Sequence, residues 1–271
     1  MRADLDLAQA DAYCRQLARR HYENFTVVSA LVPRRLRQHL ARIYAYCRTT
    51  DDLGDEAGPN AASGLLRWRA EVEALFAGRV PAHPVLLALT GTVERFALSR
   101  DPFLDLIAAN LQDQKVHAYE TWDELRAYCM LSAAPVGRMV LRLFDVAEPH
   151  AVQLSDDVCI GLQLANFAQD VSVDRDKGRT YLLQSELRER GLAGAVEALC
   201  DRAERLLCSG RELERLVPLR LRLQLSLYRL GGLAIIAAIR REGCRTDLNR
   251  PRVSAPAKTA LAVVALRQAV A

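Results

Sequence analysis

A chain of 271 residues, 51% of them hydrophobic, carries enough apolar material for a substantial core in one large domain or two small ones. Its 37 basic and 33 acidic residues leave a net charge of +4, too balanced to argue for nucleic acid as a partner. Seven scattered cysteines without CxxC spacing and five histidines without paired-ligand spacing speak against a disulfide framework and against a zinc site.

Ala, Leu and Arg dominate and strand-like alternation is rare, so the predicted elements are helices and the fold class is all-α. The first, "DAYCRQLARRHYENF", repeats apolar residues at three- and four-residue steps. Pro33 opens the densest basic stretch, "PRRLRQHLAR", which reads either as a solvated helix face or as one turned toward a diphosphate or a membrane. Next comes "YAYCRTTDDLGDE", where Asp51, Asp52, Asp55 and Glu56 crowd together and no Lys or Arg follows until Arg67. On a helix Asp51 and Asp55 lie one turn apart, Asp52 and Glu56 form a second such pair, and Tyr44, Arg48, Asp51 and Asp55 make one polar stripe. Like charges at this spacing cost roughly 0.2–0.5 kcal/mol per pair. The segment gives up stability, which predicts a bound cation.

Gly58-Pro59, Pro81, Pro84, Pro102, Pro149, Gly210 and Pro251 are read as marking helix ends. Far downstream, "GLQLANFAQDVSVDRDKGRTYL" places Asn166, Asp170 and Asp174 at i, i+4 and i+8, with Gln163 three before Asn166. Apolar residues flank this second stripe. "DRAERLLCSGRELERLVPLRLRLQLSLYRL" is a further amphipathic helical stretch. "GGLAIIAAI" and "ALAVVAL" are too short to span a bilayer, which takes about 20 residues, but the second suits a membrane surface. With no secretory signal, repeat or linker, the expectation is a single domain over residues 1–271, its thiols reduced, in the cytoplasm and peripheral to the inner face of the membrane.

Carboxylate and amide oxygens on two stripes suit a hard cation, Mg²⁺ before Zn²⁺, and Mg²⁺ is commonly held by a few carboxylates together with substrate phosphates. A metal-bridged diphosphate is a good leaving group. Arg48, and Arg179 with Tyr181 in "GRTYL", then add donors to its oxygens.

At these residues the sequence resembles the squalene/phytoene synthase family, from about Ala12 to about Lys258. "IYAYCRTTDD" is similar to the family's first aspartate-rich motif and "QLANFAQDVSVDRDKGRTYL" to its second; "QDQKVHAYETWDELRAYC" and "SAAPVGRMVL" match the central helices. The resemblance implies a single-domain class I isoprenoid synthase helical bundle around a central cavity. It implies Mg²⁺ held by Asp51, Asp55, Asn166, Asp170 and Asp174. Arg48, Arg179 and Tyr181 would meet diphosphate with Tyr44 beside it. Phe25, Tyr128 and Gln163 would line the isoprenoid cavity and Asp113 would face it; Phe25 and Tyr128 also read as plain core packing, and Gln163 as bonding a neighbouring helix.

The departures matter. Condensing members carry an HSxSF-type segment, where this chain has "HYENF" with Tyr22 and Asn24 at the serine positions. Gln169 stands where they often have Arg, and Thr246 where they have Tyr. "HYENF" with "SAAPVGR" resembles the hydroxysqualene-forming branch of bacterial hopanoid pathways. That branch implies ionisation of presqualene diphosphate and a water quench without NADPH, with hand-off from a presqualene diphosphate synthase. Tyr22, Asn24, Asp113 and Tyr128 are candidates to hold the water. Two alternatives stay open: head-to-head condensation to presqualene diphosphate, phytoene or a C30 relative, and a non-catalytic helical assembly factor.

Overall fold

A computed structural model describes residues 6–20, 32–55 and 58–270. Tyr22, Asn24, Phe25 and Glu56 lie outside the described residues. The helices in chain order are α1 (Leu7–Arg20), α2 (Arg34–Asp55), α3 (Ala61–Phe76), α4 (Pro84–Phe96), α5 (Asp101–Gln112), α6 (Trp122–Ser132), α7 (Ala134–Leu143), α8 (Pro149–Gln169), α9 (Val171–Asp176), α10 (Gln184–Leu216), α11 (Leu219–Arg241) and α12 (Ala255–Val270). Among the described residues the sole β pairing is an isolated bridge between Tyr119 and Leu183, so the all-α expectation holds. All seven cysteines are free. The contacts divide the chain into two compact units.

The first unit covers Met1–Lys115 and Pro135–Ala147. Its centre is α2, which packs against α1, α3, α4 and α5. The basic opening of α2 is partly structural. Arg42 is buried and forks onto Asp11 of α1 at 2.7 and 2.8 Å, while its third nitrogen reaches Thr92 at 3.1 Å. Lower down, Tyr46 stacks on Trp68 and donates to the Phe103 carbonyl at 2.8 Å, and Trp68 donates to Thr50. These buried, bonded aromatics fix the rotation of α2 and hence the direction of its acidic end.

The second unit covers Val116–Ala134 and Glu148–Ala271. Here α8 packs on α10 and α11, and α12 lies along α11. Gly210 was expected at a helix end but sits inside α10. A Cβ there would come within 2.4 Å of Val158, so the residue serves close helix packing. The break falls instead at Pro218, the N-cap of α11, which divides the long amphipathic stretch in two. Helix α10 is also kinked at Gly191, whose φ of 66° lies in the left-handed region. Three carboxylates of α10, Glu197, Asp201 and Glu204, grip Arg240 of α11 at 2.9, 2.6 and 2.7 Å. A buried pair, Glu214 with Arg229, closes the other end at 2.7 Å.

Candidate active site

The first acidic segment is the C-terminal end of α2. That end already carries the negative pole of the helix dipole, and no basic residue occupies its last turn. Asp51 and Asp55 are exposed; Tyr44, Arg48 and Asp52 are half-buried. Gly54 answers a question the sequence leaves open, namely why a glycine sits among the acids. A Cβ there would lie 2.2 Å from the Asn110 side-chain oxygen, so that side chain would have to swing away. The bare glycine leaves room for Asn110 to donate to Asp51 at 3.4 Å, and Gln114 donates to the Gly54 carbonyl at 3.1 Å.

Although Asp51 reaches solvent, crowding by protein pushes its carboxyl up to about 6. The Asn110 bond opposes this, Asp55 and Asp52 add to it, and Arg48 opposes it. Burial also raises Tyr44, against the pull of Arg48. Arg48 was expected on the Asp51–Asp55 stripe. Its guanidinium pairs with Asp52 at 2.6 Å, four residues on, and its charge also acts on Asp51 and Tyr44. Asp113 caps the end of α5 and is buried.

The second segment is a helix break rather than one continuous helix. Asp170, at φ −102° and ψ 21°, ends α8 and begins α9. The row survives the break because backbone bonds carry through it, Asp170 N to Asn166 O and Asp174 N to Asp170 O, both 2.9 Å. Asn166 is exposed and Asp170 and Asp174 are half-exposed. The chain then turns back, with Arg179 N bonded to Asp174 O at 2.9 Å and Thr180 N to His117 O at 2.8 Å. Arg179 and Gln163 are half-buried.

Beneath this turn lies an aromatic layer. Tyr181 stacks on Phe167 with centroids 3.8 Å apart and planes 8° from parallel, and Tyr128 and Tyr119 pack beside them. Tyr128 and Tyr181 are therefore mostly buried.

Two residues of the site region left no signal in the sequence. Asn110 has no motif around it. Arg250, eighty positions from its partner, forks onto Asp170 through Nε to Oδ1 and through Nη2 to Oδ2 at 3.1 Å. Next to it, the buried Gln169 amide donates to the Pro251 carbonyl at 2.6 Å. Residues 250 and 251 thus strap the α8–α9 junction. Thr246 is fully buried.

The donor chemistry fits a hard divalent cation. All candidate ligands are oxygens, Asp51 is crowded by a second carboxylate one turn away, and Asp170 already draws a cation. Among the described residues no group of three or more His, Cys, Asp or Glu could hold a metal unaided. Mg²⁺ suits such a set, because it keeps waters and completes its octahedron with substrate oxygens.

These features define a helical protein with carboxylate-bearing helix ends suited to metal and diphosphate. Residues 18–257 match the model of the squalene/phytoene synthase family, and the chain belongs to that family. It is 36% identical over 198 residues to a phytoene synthase of Arthrospira platensis, a match covering 66% of this chain and 63% of that protein. It is 33% identical over 204 residues to a 15-cis-phytoene synthase of Synechococcus elongatus, covering 69% of this chain and 65% of the other. The match to a chloroplastic phytoene synthase of Narcissus pseudonarcissus spans 45% of that relative's length. Among solved structures, squalene synthase HpnC from Alicyclobacillus acidocaldarius superposes with a TM-score of 0.83 at 43% identity, covering 89% of this chain and 97% of that one. A dehydrosqualene synthase, at 24% identity, shares the fold with a TM-score of 0.87.

Proposed function

We propose that the chain is a Mg²⁺-dependent hydroxysqualene synthase, acting as a single functional domain that ionises presqualene diphosphate and lets water trap the rearranged cation. The observation that supports this most is the likeness to HpnC, described as a squalene synthase, which favours C30 chemistry over phytoene formation. It reaches 43% identity over 97% of that chain, against 36% over 63% of the Arthrospira phytoene synthase. The altered residues point the same way. Gln169 offers a neutral amide, committed to the Pro251 carbonyl, where condensing relatives often have Arg.

In this reading Asp51, Asp55, Asn166, Asp170 and Asp174 hold the metal and serve one diphosphate. Mg²⁺, when bound, neutralises the charge that builds on the leaving diphosphate. Arg48 and Arg179 orient the diphosphate oxygens, with Tyr44 beside them and the Tyr181 hydroxyl as a neutral donor. Arg250 stands beside Asp170 as a further cation. The carbon–oxygen bond breaks with its electron pair going to diphosphate. The cyclopropylcarbinyl cation rearranges, water oxygen forms the new carbon–oxygen bond, and the surplus proton leaves to diphosphate or solvent. The aromatic layer of Tyr119, Tyr128, Phe167 and Tyr181 keeps bulk water away from the cation, and Gln163, Phe25 and Asp113 border the substrate. Tyr22, Asn24, Asp113 and Tyr128 remain the candidates to hold the trapping water. No reductant is consumed, so NADPH is not required. The substrate is a C30 lipid, which suits a cytoplasmic enzyme at the inner face of the membrane, fed by a presqualene diphosphate synthase.

The phytoene synthase relatives favour a second reading, head-to-head condensation of two prenyl diphosphates. Diphosphate release measured with presqualene, farnesyl and geranylgeranyl diphosphates separates the two. The first reading expects release from presqualene diphosphate alone; the second expects it from one of the others.

A further inference from the structure

Apart from the acidic segments, the second unit has one end with an unusual surface. Helices α10 and α11 meet there in a turn whose tip exposes Leu216 at 47% and Leu219 at 51%. Arg215 and Arg220 flank these leucines and are exposed. Residues 215–241 contain no Asp or Glu, and neither do residues 248–270. The acid nearest the turn, Glu214, is buried and spent on Arg229. Arg229 also donates to Gln268 at 2.9 Å, which ties the last turns of α12 to the same end. There α12 exposes Leu266 at 52%, with Arg267 beside it. Arg215, Arg220 and Arg267 make no ion pair among the described residues.

We propose that this end of the second unit, the α10–α11 turn with the last turns of α12, docks on an anionic lipid surface. Exposed leucines ringed by unpaired arginines match such a surface twice over. The side chains can enter the boundary between headgroups and acyl chains, and the arginines meet the phosphates. The mode is surface docking, not spanning. Among the described residues α11 is the one helix long and apolar enough to cross a bilayer by length and composition. It is instead used inside the unit, with Arg229 in a buried pair and Gly232 packed against Leu207 and Leu162. The proposal deepens the reading of a lipid substrate, yet its test needs no substrate, so the two can fail separately.

The test is co-sedimentation of the full chain with vesicles of phosphatidylcholine alone and of phosphatidylcholine mixed with phosphatidylglycerol. Binding is expected to the mixed vesicles and to weaken as salt is raised. Arg215→Gln with Arg220→Gln should lower partitioning about 25-fold, about fivefold per charge. Leu216→Ser with Leu219→Ser should lower it further at high salt, where the charges are screened. Circular dichroism should be unchanged in all variants. Equal partitioning of the arginine variants would overturn the proposal. So would leucine variants that alter the sedimentation coefficient of the free protein while binding vesicles normally, because the turn would then be a contact between two copies of the chain.

Discussion

Arg250 holds Asp170 in a fork, so a cation that uses Asp170 has to displace it. The two side chains are 45% and 24% exposed, which puts the pair in the class of solvent-screened ion pairs worth about 0.2–1 kcal/mol. Two parallel bonds to a carboxylate favour the upper end of that range. Removing the competitor by Arg250→Gln should therefore tighten Mg²⁺ binding to the substrate-free protein by about 1 kcal/mol, or about fivefold. With diphosphate present the sign should reverse if, as proposed, Asp170 serves the diphosphate site, because the arginine released from it is then a further donor to the diphosphate oxygens. Arg250→Lys keeps the charge without the fork and should fall between. Isothermal titration of Mg²⁺, with and without diphosphate, reads both effects. Unchanged or weaker Mg²⁺ binding in Arg250→Gln without diphosphate would refute the reasoning, because Asp170 would then not be the shared partner.

Asp51 has a folded value of about 6 against an ordinary 3.8, so the folded protein keeps a proton that the unfolded chain loses as pH rises through that window. Asp51→Asn should accordingly be neutral below pH 3.8 and stabilising above about pH 6, by about 1 kcal/mol after allowance for its exposure, in metal-free thermal melts. Arg229→Met leaves Glu214 buried and unpaired and should cost about 3–5 kcal/mol in urea unfolding, largely recovered by adding Glu214→Leu. Gly54→Ala should push Asn110 off Asp51 and weaken Mg²⁺-dependent diphosphate release while leaving the helix content unchanged. Asp55→Ala and Asp174→Ala should abolish that release with normal circular dichroism, whereas Arg48→Lys should stay active but clearly impaired.

The helices were legible because their period is local: three- and four-residue spacing marks α1 and α2, and Pro33 and Pro149 mark the starts of α2 and α8, whereas Pro218 at the start of α11 was passed over inside one long amphipathic stretch. The two acidic stripes were legible for the same reason. What the sequence concealed depends on partners far along the chain. The Arg250–Asp170 fork joins residues eighty positions apart, and Asn110 reaches Asp51 only because Gly54 admits it. Gly210 read as a helix breaker because glycine has two uses, and only the nearness of Val158 distinguishes tight packing from a helix end. The break at Asp170 carried no Pro or Gly to announce it. The Arg48–Asp52 pair, four residues apart, lay within the helical spacing as well, but the spacing alone did not single it out among the neighbouring carboxylates.

The central claim is that this chain makes an alcohol from presqualene diphosphate. The direct measurement is incubation of the purified protein with Mg²⁺ and presqualene diphosphate in ¹⁸O-labelled water, without NADPH, followed by mass analysis of the lipid. The account predicts hydroxysqualene with the label in its hydroxyl group, and little or no C30 product from farnesyl diphosphate alone. Efficient formation of presqualene diphosphate, a C30 hydrocarbon or phytoene from farnesyl or geranylgeranyl diphosphate, with no labelled alcohol, would contradict it.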